Sequence, residues 1–305
     1  MTKPRYLTKS RFKVALECPA KLYYTGKNEY ANTMSTDEFL KALAEGGYQV
    51  GELAKFYHPG GIEIDEIVHR AALDSTEELL KVDDVTLFEP AFLHKDCFIR
   101  VDVLEKKDKR FNLIEVKAKS FRSEDEFYNK SGGIDSSWKP YLWDVAFQTW
   151  LMRQIYPNCE VHPYLMLADK NKTTTVDNLN QKFRIRKNER GKTEVFVDPG
   201  LTHEDLGEQI LSKVDVSHAV EMILSDQTAL GKNPREDQML GFEEKVRQFS
   251  EYYKLDERYP VGIGKQCKNC EFKNSKEPDK LSGFEECWEN ELGSQFNPEI
   301  PHVFD

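Results

Sequence analysis

The chain of 305 residues is 39% hydrophobic and carries a formal net charge of −10, which suits one large domain or one domain with appendages. It contains no run of about eighteen apolar residues, and its polar start lacks a signal-peptide core, so we predict a cytoplasmic protein without a membrane span. The negative balance argues against a broadly basic nucleic-acid coat. Positive charge nevertheless clusters at 106–110, 117–122 and 182–192, which is typical of solvated loops or of a local basic groove.

The first third of the chain is helical in pattern. The opening LTKSRFKVALECPAKLYYTGK predicts a short helix that ends near Cys18 and Pro19. A second helical periodicity continues to about Phe56, although Gly46 and Gly47 weaken or kink it. A further amphipathic helical region is DEIVHRAALDSTEELLKV. Three predicted strands then follow in quick succession, VTLFEPAFL, CFIRVDVLE and RFNLIEVKAK.

The second half mixes helices and strands before an irregular end. A polar loop leads to the predicted helix YLWDVAFQTWLMRQIY, and HPYLMLAD predicts another core strand. A hairpin turning at 189–191 is predicted from FRIRKNERGKTEVFV, and a helix from DQMLGFEEKVRQFSEYYK. This order predicts an α/β fold, a sheet core wrapped by helices. We divide it into an N-terminal helical segment 1–84, a core 85–225 and a C-terminal segment 226–305.

The stretch RVDVLEKKDKRFNLIEVKAKS places charged residues among apolar ones. Because side chains alternate faces along a strand, Glu115 and Lys117 share one face, and Asp102 shares a face with Arg100. If the strands pair across the turn at 106–110, Asp102 and Glu115 lie together beside Lys117. Two such carboxylates repel unless a cation lies between them, and a hard divalent ion suits their oxygen atoms. Spacing alone favours the simpler interpretation of a solvated face or a surface ion pair.

These residues resemble the core of the PD-(D/E)xK nuclease superfamily, with Asp102 as the first acid and Glu115 and Lys117 in the E-x-K. Gln148, in YLWDVAFQTW, resembles the glutamine motif of the RecB-like branch. The resemblance implies a restriction-endonuclease-like core with a mixed central sheet flanked by helices. It implies catalytic roles for Asp102, Glu115, Lys117 and Gln148, in which Lys117 orients the attacking water or stabilises developing negative charge.

The resemblance also implies a divalent-metal site for Mg²⁺ or Mn²⁺. Its ligands from the strands would be Asp102, Glu115 and the carbonyl of Val116. RecB-like nucleases add a His or Glu from a preceding helix, which falls in GGYQVGELAKFYHPGG here. Glu52 is the candidate, and His58 and His69 are alternatives.

DNA contacts are implied near the hairpin and on the helix that follows. The residues are Arg100, Lys119, Tyr141 and Gln148. The glutamine motif often continues with tyrosine four residues on, where this chain has Met152, while Tyr141 lies about two helical turns before Gln148 on nearly the same face. Trp138 and Trp143 could stack on bases, although core packing is the simpler role.

Six cysteines in a long chain without a secretion signal favour metal ligation or burial over disulfides. Cys267 and Cys270 form a C-x-x-C, which is common to zinc, iron–sulfur and redox sites. Cys287 adds a third thiol. Of the other three cysteines, one lies in a predicted strand and one in a loop, which leaves Cys18 as the fourth ligand.

One cysteine before the core and three after it resemble the iron–sulfur RecB-like nucleases, which include CRISPR-associated adaptation nucleases and the nuclease domain of bacterial helicase–nucleases. The resemblance implies a structural [4Fe–4S] cluster that joins the N- and C-terminal segments. Zinc bound by four thiolates is the alternative, because the gap between Cys270 and Cys287 is longer than is usual in the family.

Together these features imply a metal-dependent DNase, an exonuclease acting on DNA ends or single strands. An inactive nucleic-acid-binding module and a zinc-stapled nuclease acting on RNA are the alternatives. The end of the chain, PHVFD, is apolar and strand-like. We therefore expect a further domain or partner beyond residue 305.

Overall fold

The computed structural model describes residues 4–187, 193–274 and 277–297. The helices are α1 (Lys9–Glu17), α2 (Lys21–Tyr24), α3 (Thr33–Thr36), α4 (Glu38–Phe56), α5 (His69–Leu79), α6 (Lys139–Ile155), α7 (Ser217–Leu224), α8 (Glu236–Met239), α9 (Phe242–Leu255) and α10 (Gly283–Leu292). The strands are β1 (Leu7–Thr8), β2 (Ile62–Glu63), β3 (Asp84–Phe88), β4 (Ala91–His94), β5 (Cys97–Arg100), β6 (Val103–Lys107), β7 (Arg110–Phe121), β8 (Glu160–Asp169), β9 (Phe183–Lys187), β10 (Thr193–Val197) and β11 (Leu211–Asp215). The predicted turn at 189–191 and the end PHVFD lie outside the described residues.

The chain divides into two compact units. The terminal unit combines residues 1–40 with 230–305, and the sheet unit is the continuous stretch 41–229. This division differs from the three predicted segments, because residues 41–84 belong with the strands and the two ends of the chain form one unit. The reason lies in packing: β2 pairs with β3 in the sheet, and Leu53 and Ala54 of α4 are buried in the core beneath it.

The sheet unit is built on a six-stranded mixed sheet with the order β11-β8-β7-β6-β3-β2. The strands β3, β6 and β7 pair antiparallel, as do β8 and β11. The pairs β7–β8 and β2–β3 are parallel. One face packs on α4 through Ile114 and Val116, while α6 covers the opposite face, towards which Glu115 points. The predicted α/β fold with a mixed sheet flanked by helices is confirmed.

Two of the three predicted strands are broken in the middle. VTLFEPAFL forms β3 and β4, because Glu89 has a left-handed φ of 55° and is followed by Pro90, which cannot donate a ladder hydrogen bond. CFIRVDVLE forms β5 and β6, with a bend at Asp102 between them. The third, RFNLIEVKAK, lies in the single strand β7. The second break sets the position of Asp102 at the start of β6.

Helix α6 is buried on nearly all sides. Pro140 stands in its first turn, where a missing N–H costs nothing. Leu142 to Thr149 are all buried, and among them Asp144, Gln148 and Thr149 are polar. An enclosed helix that carries polar side chains must satisfy them from within the protein. Despite its apolar content, neither α6 nor any other helix in the described ranges is long and apolar enough to span a bilayer.

The terminal unit joins distant parts of the sequence. Phe12 of α1 packs edge-on against Phe242 of α9, with ring centroids 5.7 Å apart. Backbone hydrogen bonds link residues 29–33 to 271–281, including Ala31 N to Leu281 O at 2.9 Å and Thr33 N to Glu271 O at 2.9 Å. The N- and C-terminal parts of the chain are therefore held together by main-chain contacts as well as by side-chain packing.

Candidate functional site

The β6–β7 hairpin brings Asp102 next to the E-x-K stretch. Val103 pairs with Ile114, so the next position outward sets Asp102 opposite Glu115. The Val116 N–H donates a hydrogen bond of 2.8 Å to Asp102 Oδ2. Beyond Lys117 the register of β7 against β8 shifts through a bulge. Bulges occur frequently beside active sites, where they re-aim side chains.

Glu115, Lys117 and Gln148 meet around a fourth side chain, Asp144 of α6. The Lys117 ammonium forms an ion pair with Glu115 Oε1 and lies 3.3 Å from Asp144 Oδ2. Gln148 Nε2 donates to Glu115 Oε2 at 2.8 Å and to Asp144 Oδ1 at 3.0 Å. The structure thus brings Glu115, Lys117 and Gln148 into one side-chain network with Asp144 at the junction of β7 and α6. Asp102 lies beside it, hydrogen-bonded to the backbone of Val116.

Carboxylate groups are concentrated in this network. Glu115 and Asp144 are both fully buried, whereas the Lys117 side chain is 20% exposed. Two buried carboxylates, those of Glu115 and Asp144, contact the same Lys117 ammonium, and the Asp102 carboxylate is bound to the neighbouring Val116 N–H. A buried carboxylate is costly unless it is paired and hydrogen-bonded. Carboxylate oxygens gathered in this way are the ligands that hard divalent cations prefer.

Asp144 is the site residue that the sequence prediction left out. It lies one helical turn before Gln148, and residues four apart share a helix face. That spacing was the available signal. Its full burial in contact with Lys117 is a tertiary fact, because an exposed aspartate gives the same helical pattern.

Gln148 has an unused hydrogen-bonding atom. Its Nε2 faces two carboxylates, so the amide orientation follows from the network. Its Oε1 is buried and has no hydrogen-bond partner within the described ranges. An acceptor left in this state is costly, and a bound water or substrate hydroxyl would satisfy it.

The structure gives two of the proposed helix-borne metal ligands polar partners near the end of α4. Glu52 Oε1 lies 2.7 Å from Lys55 Nζ. His58 Nδ1 lies 3.1 Å from Glu105 Oε1. Hydrogen bonding from His58, followed by that from Lys213 and Asn112, outweighs burial and lowers the pKa of Glu105 to about 2. A metal-binding role for Glu52 or His58 stays a prediction.

His69 and Arg100 are placed around β5. The His69 ring stacks on Phe98 with centroids 4.2 Å apart. The Arg100 guanidinium donates to three backbone carbonyls, those of Ile64, Glu66 and Glu89. Arg100 therefore braces the chain around β2 and β3, and a phosphate contact from it stays a prediction.

Lys119 and Tyr141 lie together beside Trp138. The Lys119 ammonium is 4.5 Å from the Trp138 ring centroid and 5.2 Å from that of Tyr141. Trp138 and Trp143 are both buried, which supports the core-packing role for these two side chains. Lys119 and Tyr141 are half-buried, so part of each side chain is accessible. Their contacts with DNA stay a prediction.

The four predicted cluster cysteines line one small cavity of about 30 Å³ in the terminal unit. None of the six cysteines forms a disulfide. The Tyr24 hydroxyl lies 3.3 Å from Cys287 Sγ, and the Gly264 N–H donates to Cys267 Sγ at 3.5 Å. Burial raises the pKa of Cys18 to about 11 and that of Cys270 to about 12, and it also raises the pKa of Cys267. Without a metal, the thiols of Cys18, Cys267 and Cys270 are protonated at neutral pH.

Three cations surround this cavity. The charge of Arg235 acts to lower the pKa of Cys18, and the charge of Lys21 acts to lower the pKa of Cys270, each against the larger effect of burial. Burial lowers the pKa of Arg258, but its hydrogen bond to Cys287 contributes to a net increase. Positive charge near a cysteine stabilises its thiolate, the form in which cysteine binds metals.

As the side chains stand, no group of three or more His, Cys, Asp or Glu residues within the described ranges has the arrangement of a metal site. No known family model matches the sequence, and no curated protein matches it. The site geometry is therefore the basis for a functional assignment.

Proposed function

We propose that the protein is a metal-dependent deoxyribonuclease, an exonuclease of the RecB-like PD-(D/E)xK type that hydrolyses phosphodiester bonds. The observation that carries the proposal is the meeting of Asp102, Glu115, Lys117 and Gln148 at one hairpin and helix. Apolar side chains would fill the same buried space at lower free energy. A charged network kept there is more readily explained by chemistry than by stability.

The donor set suits Mg²⁺ or Mn²⁺, because carboxylate and carbonyl oxygens are the ligands that these ions prefer. Asp102, Glu115 and the Val116 carbonyl would hold the ion, joined by Glu52 if α4 contributes a ligand. Such an ion would supply an activated water and polarise the scissile phosphate.

The protein's own residues would position and stabilise the reacting groups. Lys117, held between Glu115 and Asp144, would direct its ammonium towards the negative charge that develops on the phosphate. Gln148 fixes the two buried acids through Nε2, and its Oε1 would accept a hydrogen bond from the attacking water. Lys119 and Tyr141 would contact the bound strand.

The proposal includes a structural [4Fe–4S] cluster held by Cys18, Cys267, Cys270 and Cys287, with zinc as the alternative. Support comes from the convergence of the four thiols on one cavity and from the surrounding cations. The thiols must lose their protons to bind the metal. The bound group would crosslink the two halves of the terminal unit.

The test compares wild type with Lys117→Ala on labelled single- and double-stranded DNA in Mn²⁺, Mg²⁺ and EDTA. We expect metal-dependent degradation that falls by about 10² or more in the variant, because a donor to the developing charge is lost. Lys107→Ala is the matched control, since Lys107 is an exposed lysine on the same hairpin. RNA assayed side by side reports the nucleic-acid preference.

Two results would contradict the proposal. One is a folded, metal-supplied wild type that cleaves nothing, which would favour a nucleic-acid-binding module. The other is equal cleavage by wild type and Lys117→Ala. A variant Asp102→Ala that binds DNA but does not cleave it would separate catalysis from binding.

A further inference from the structure

The hairpin of β9 and β10 has two unlike faces. Its strands pair antiparallel from Phe183 opposite Val197 to Lys187 opposite Thr193, so alternate side chains share a face. Phe183 is buried against Phe56 of α4, with ring centroids 5.7 Å apart, and Val197 packs on the same core. These contacts attach the inner face of the β9–β10 hairpin to the core of the sheet unit.

The outer face of this hairpin carries two arginines over one aromatic ring. The guanidinium carbons of Arg184 and Arg186 lie 5.0 Å and 3.7 Å from the Phe196 ring centroid. Both arginines are exposed. A guanidinium on an aromatic face is attracted by the negative face of the ring. Phe196 therefore holds two like charges side by side in spite of their repulsion.

Neither guanidinium has an acidic partner within the described ranges. Other exposed arginines do: Arg70 binds Asp74 at 3.0 Å, and Arg247 binds Glu244 at 2.6 Å. The two exposed arginines therefore concentrate positive charge on the outer face of the β9–β10 hairpin.

The acids near this patch are mostly engaged elsewhere. Asp205 accepts hydrogen bonds from Thr202, and Asp198 accepts one from the Gly200 N–H. Glu194, opposite Arg186 in the ladder, is exposed and lies on the same outer face. One exposed acid against two arginines leaves the face positive.

We infer that the outer face of the β9–β10 hairpin contacts the phosphodiester backbone of a DNA strand, an inference that rests on the proposed nuclease function. A guanidinium matches the oxygen geometry of phosphate and can bind it through two parallel hydrogen bonds. Phe196 is covered by Arg186, so the face presents charge rather than an open ring for base stacking. The contact is therefore independent of base sequence.

The experiment measures binding of labelled dT and dA single strands in EDTA, so that no cleavage occurs. The variant Arg184→Ala/Arg186→Ala is compared with Arg70→Ala/Arg247→Ala, which also loses two exposed arginines. We expect the hairpin variant to bind on the order of tenfold more weakly, and the slope of log K against log[salt] to become shallower by about 1.4, because each phosphate contact on a single strand contributes about 0.7. The loss should be equal for dT and dA, and the control variant should bind like wild type.

Wild-type affinity and salt dependence in the hairpin variant would overturn the inference, and cleavage by wild type in Mn²⁺ would still support the nuclease. Weakened binding by the hairpin variant of a protein that never cleaves would support the surface and overturn the nuclease. Arg184→Lys/Arg186→Lys guards against misfolding, because it keeps the charge. It should keep the salt dependence while losing part of the affinity, and a salt dependence as shallow as that of the alanine variant would count against phosphate contact.

Discussion

At the scale of single residues, Asp144 links the helix to the strand in the candidate site. It contacts both Lys117 and Gln148 while fully buried. Asp144→Asn keeps the shape but removes the charge that holds the ammonium. We expect cleavage to fall by about 10², because a misdirected ammonium no longer stabilises the transition state.

The measurement for Asp144→Asn is the initial cleavage rate, with the thermal unfolding midpoint as a check on folding. Asp108→Asn is the matched control, since Asp108 is exposed with a left-handed φ of 50°, which asparagine tolerates. A normal rate in Asp144→Asn would remove this residue from the mechanism.

Strand parity predicts from the sequence that Glu115 and Lys117 share a face, and the structure places both in one network. The position of Asp102 depends on the register of the hairpin, which the charged turn at 106–110 indicates only loosely. Asp144 and Gln148 share a helix face by spacing. Whether that face is buried depends on which strands α6 covers, and local pattern carries no information about that.

At the scale of elements, sequence periodicity located the strands but not their breaks. Glu89 adopts a left-handed conformation because the chain must turn before β4, and glutamate is not a residue that signals this. The bulge after Lys117 likewise has no glycine to mark it. The bulge lies where β7 pairs with β8, and the turn at Glu89 lies where the chain passes from β3, paired with β6, to β4, paired with β5. Both features depend on strand pairing, which the periodicity of a single strand does not show.

A second feature at this scale is the polar cluster around Glu105, which connects His58, two residues after the end of α4, to the sheet. Glu105 of β6 contacts His58 at 3.1 Å, Lys213 of β11 at 2.6 Å and Asn112 of β7 at 2.8 Å. These bonds lower the pKa of Glu105 from its ordinary value of 4.5 to about 2. A depressed carboxyl pKa stabilises the fold above pH 4.5, and this stabilisation is lost as the pH falls towards 2.

We therefore expect Glu105→Gln to lower the free energy of unfolding by about 1 to 2 kcal/mol at neutral pH, since the half-buried carboxylate is partly screened by water. The difference in the free energy of unfolding between Glu105→Gln and wild type should narrow below a pH of about 4.5. Urea unfolding over a pH series measures it. The control Glu160→Gln, at a 76% exposed glutamate beside His162, should show almost no gap. A gap for Glu105→Gln that stays constant with pH would contradict the argument.

At the scale of the whole molecule, the terminal unit is assembled from both ends of the chain. The family resemblance implies that a metal cluster joins the two ends, and that cluster stays a prediction. The structure joins the ends through backbone bonds between residues 29–33 and 271–281. The boundary near residue 40 was not predictable, because it falls inside α4. A continuous helix gives no break in periodicity where one unit ends and the next begins.

The proposed metal group would strengthen this union of the ends. Bringing Cys18 to Cys267 closes a loop that costs on the order of 5 kcal/mol of chain entropy, whereas thiolate–metal binding releases about 10 to 16 kcal/mol. We expect protein purified without oxygen to be brown, with broad visible absorbance and bound iron. Cys18→Ser should lose both and unfold at a lower temperature, because one of four ligands is missing.

Cys159→Ser is the control for Cys18→Ser, because Cys159 lies before β8 in the sheet unit and outside the cysteine cavity. It should keep the colour, the iron and the unfolding temperature of wild type. Colourless wild-type protein with one tightly bound zinc would replace iron by zinc at the same four thiols. Unchanged metal content in Cys18→Ser would instead exclude Cys18 from the ligands. The union of the two ends would then depend on backbone bonds, aromatic packing and ion pairs such as that of Lys21 with Glu271 at 2.5 Å.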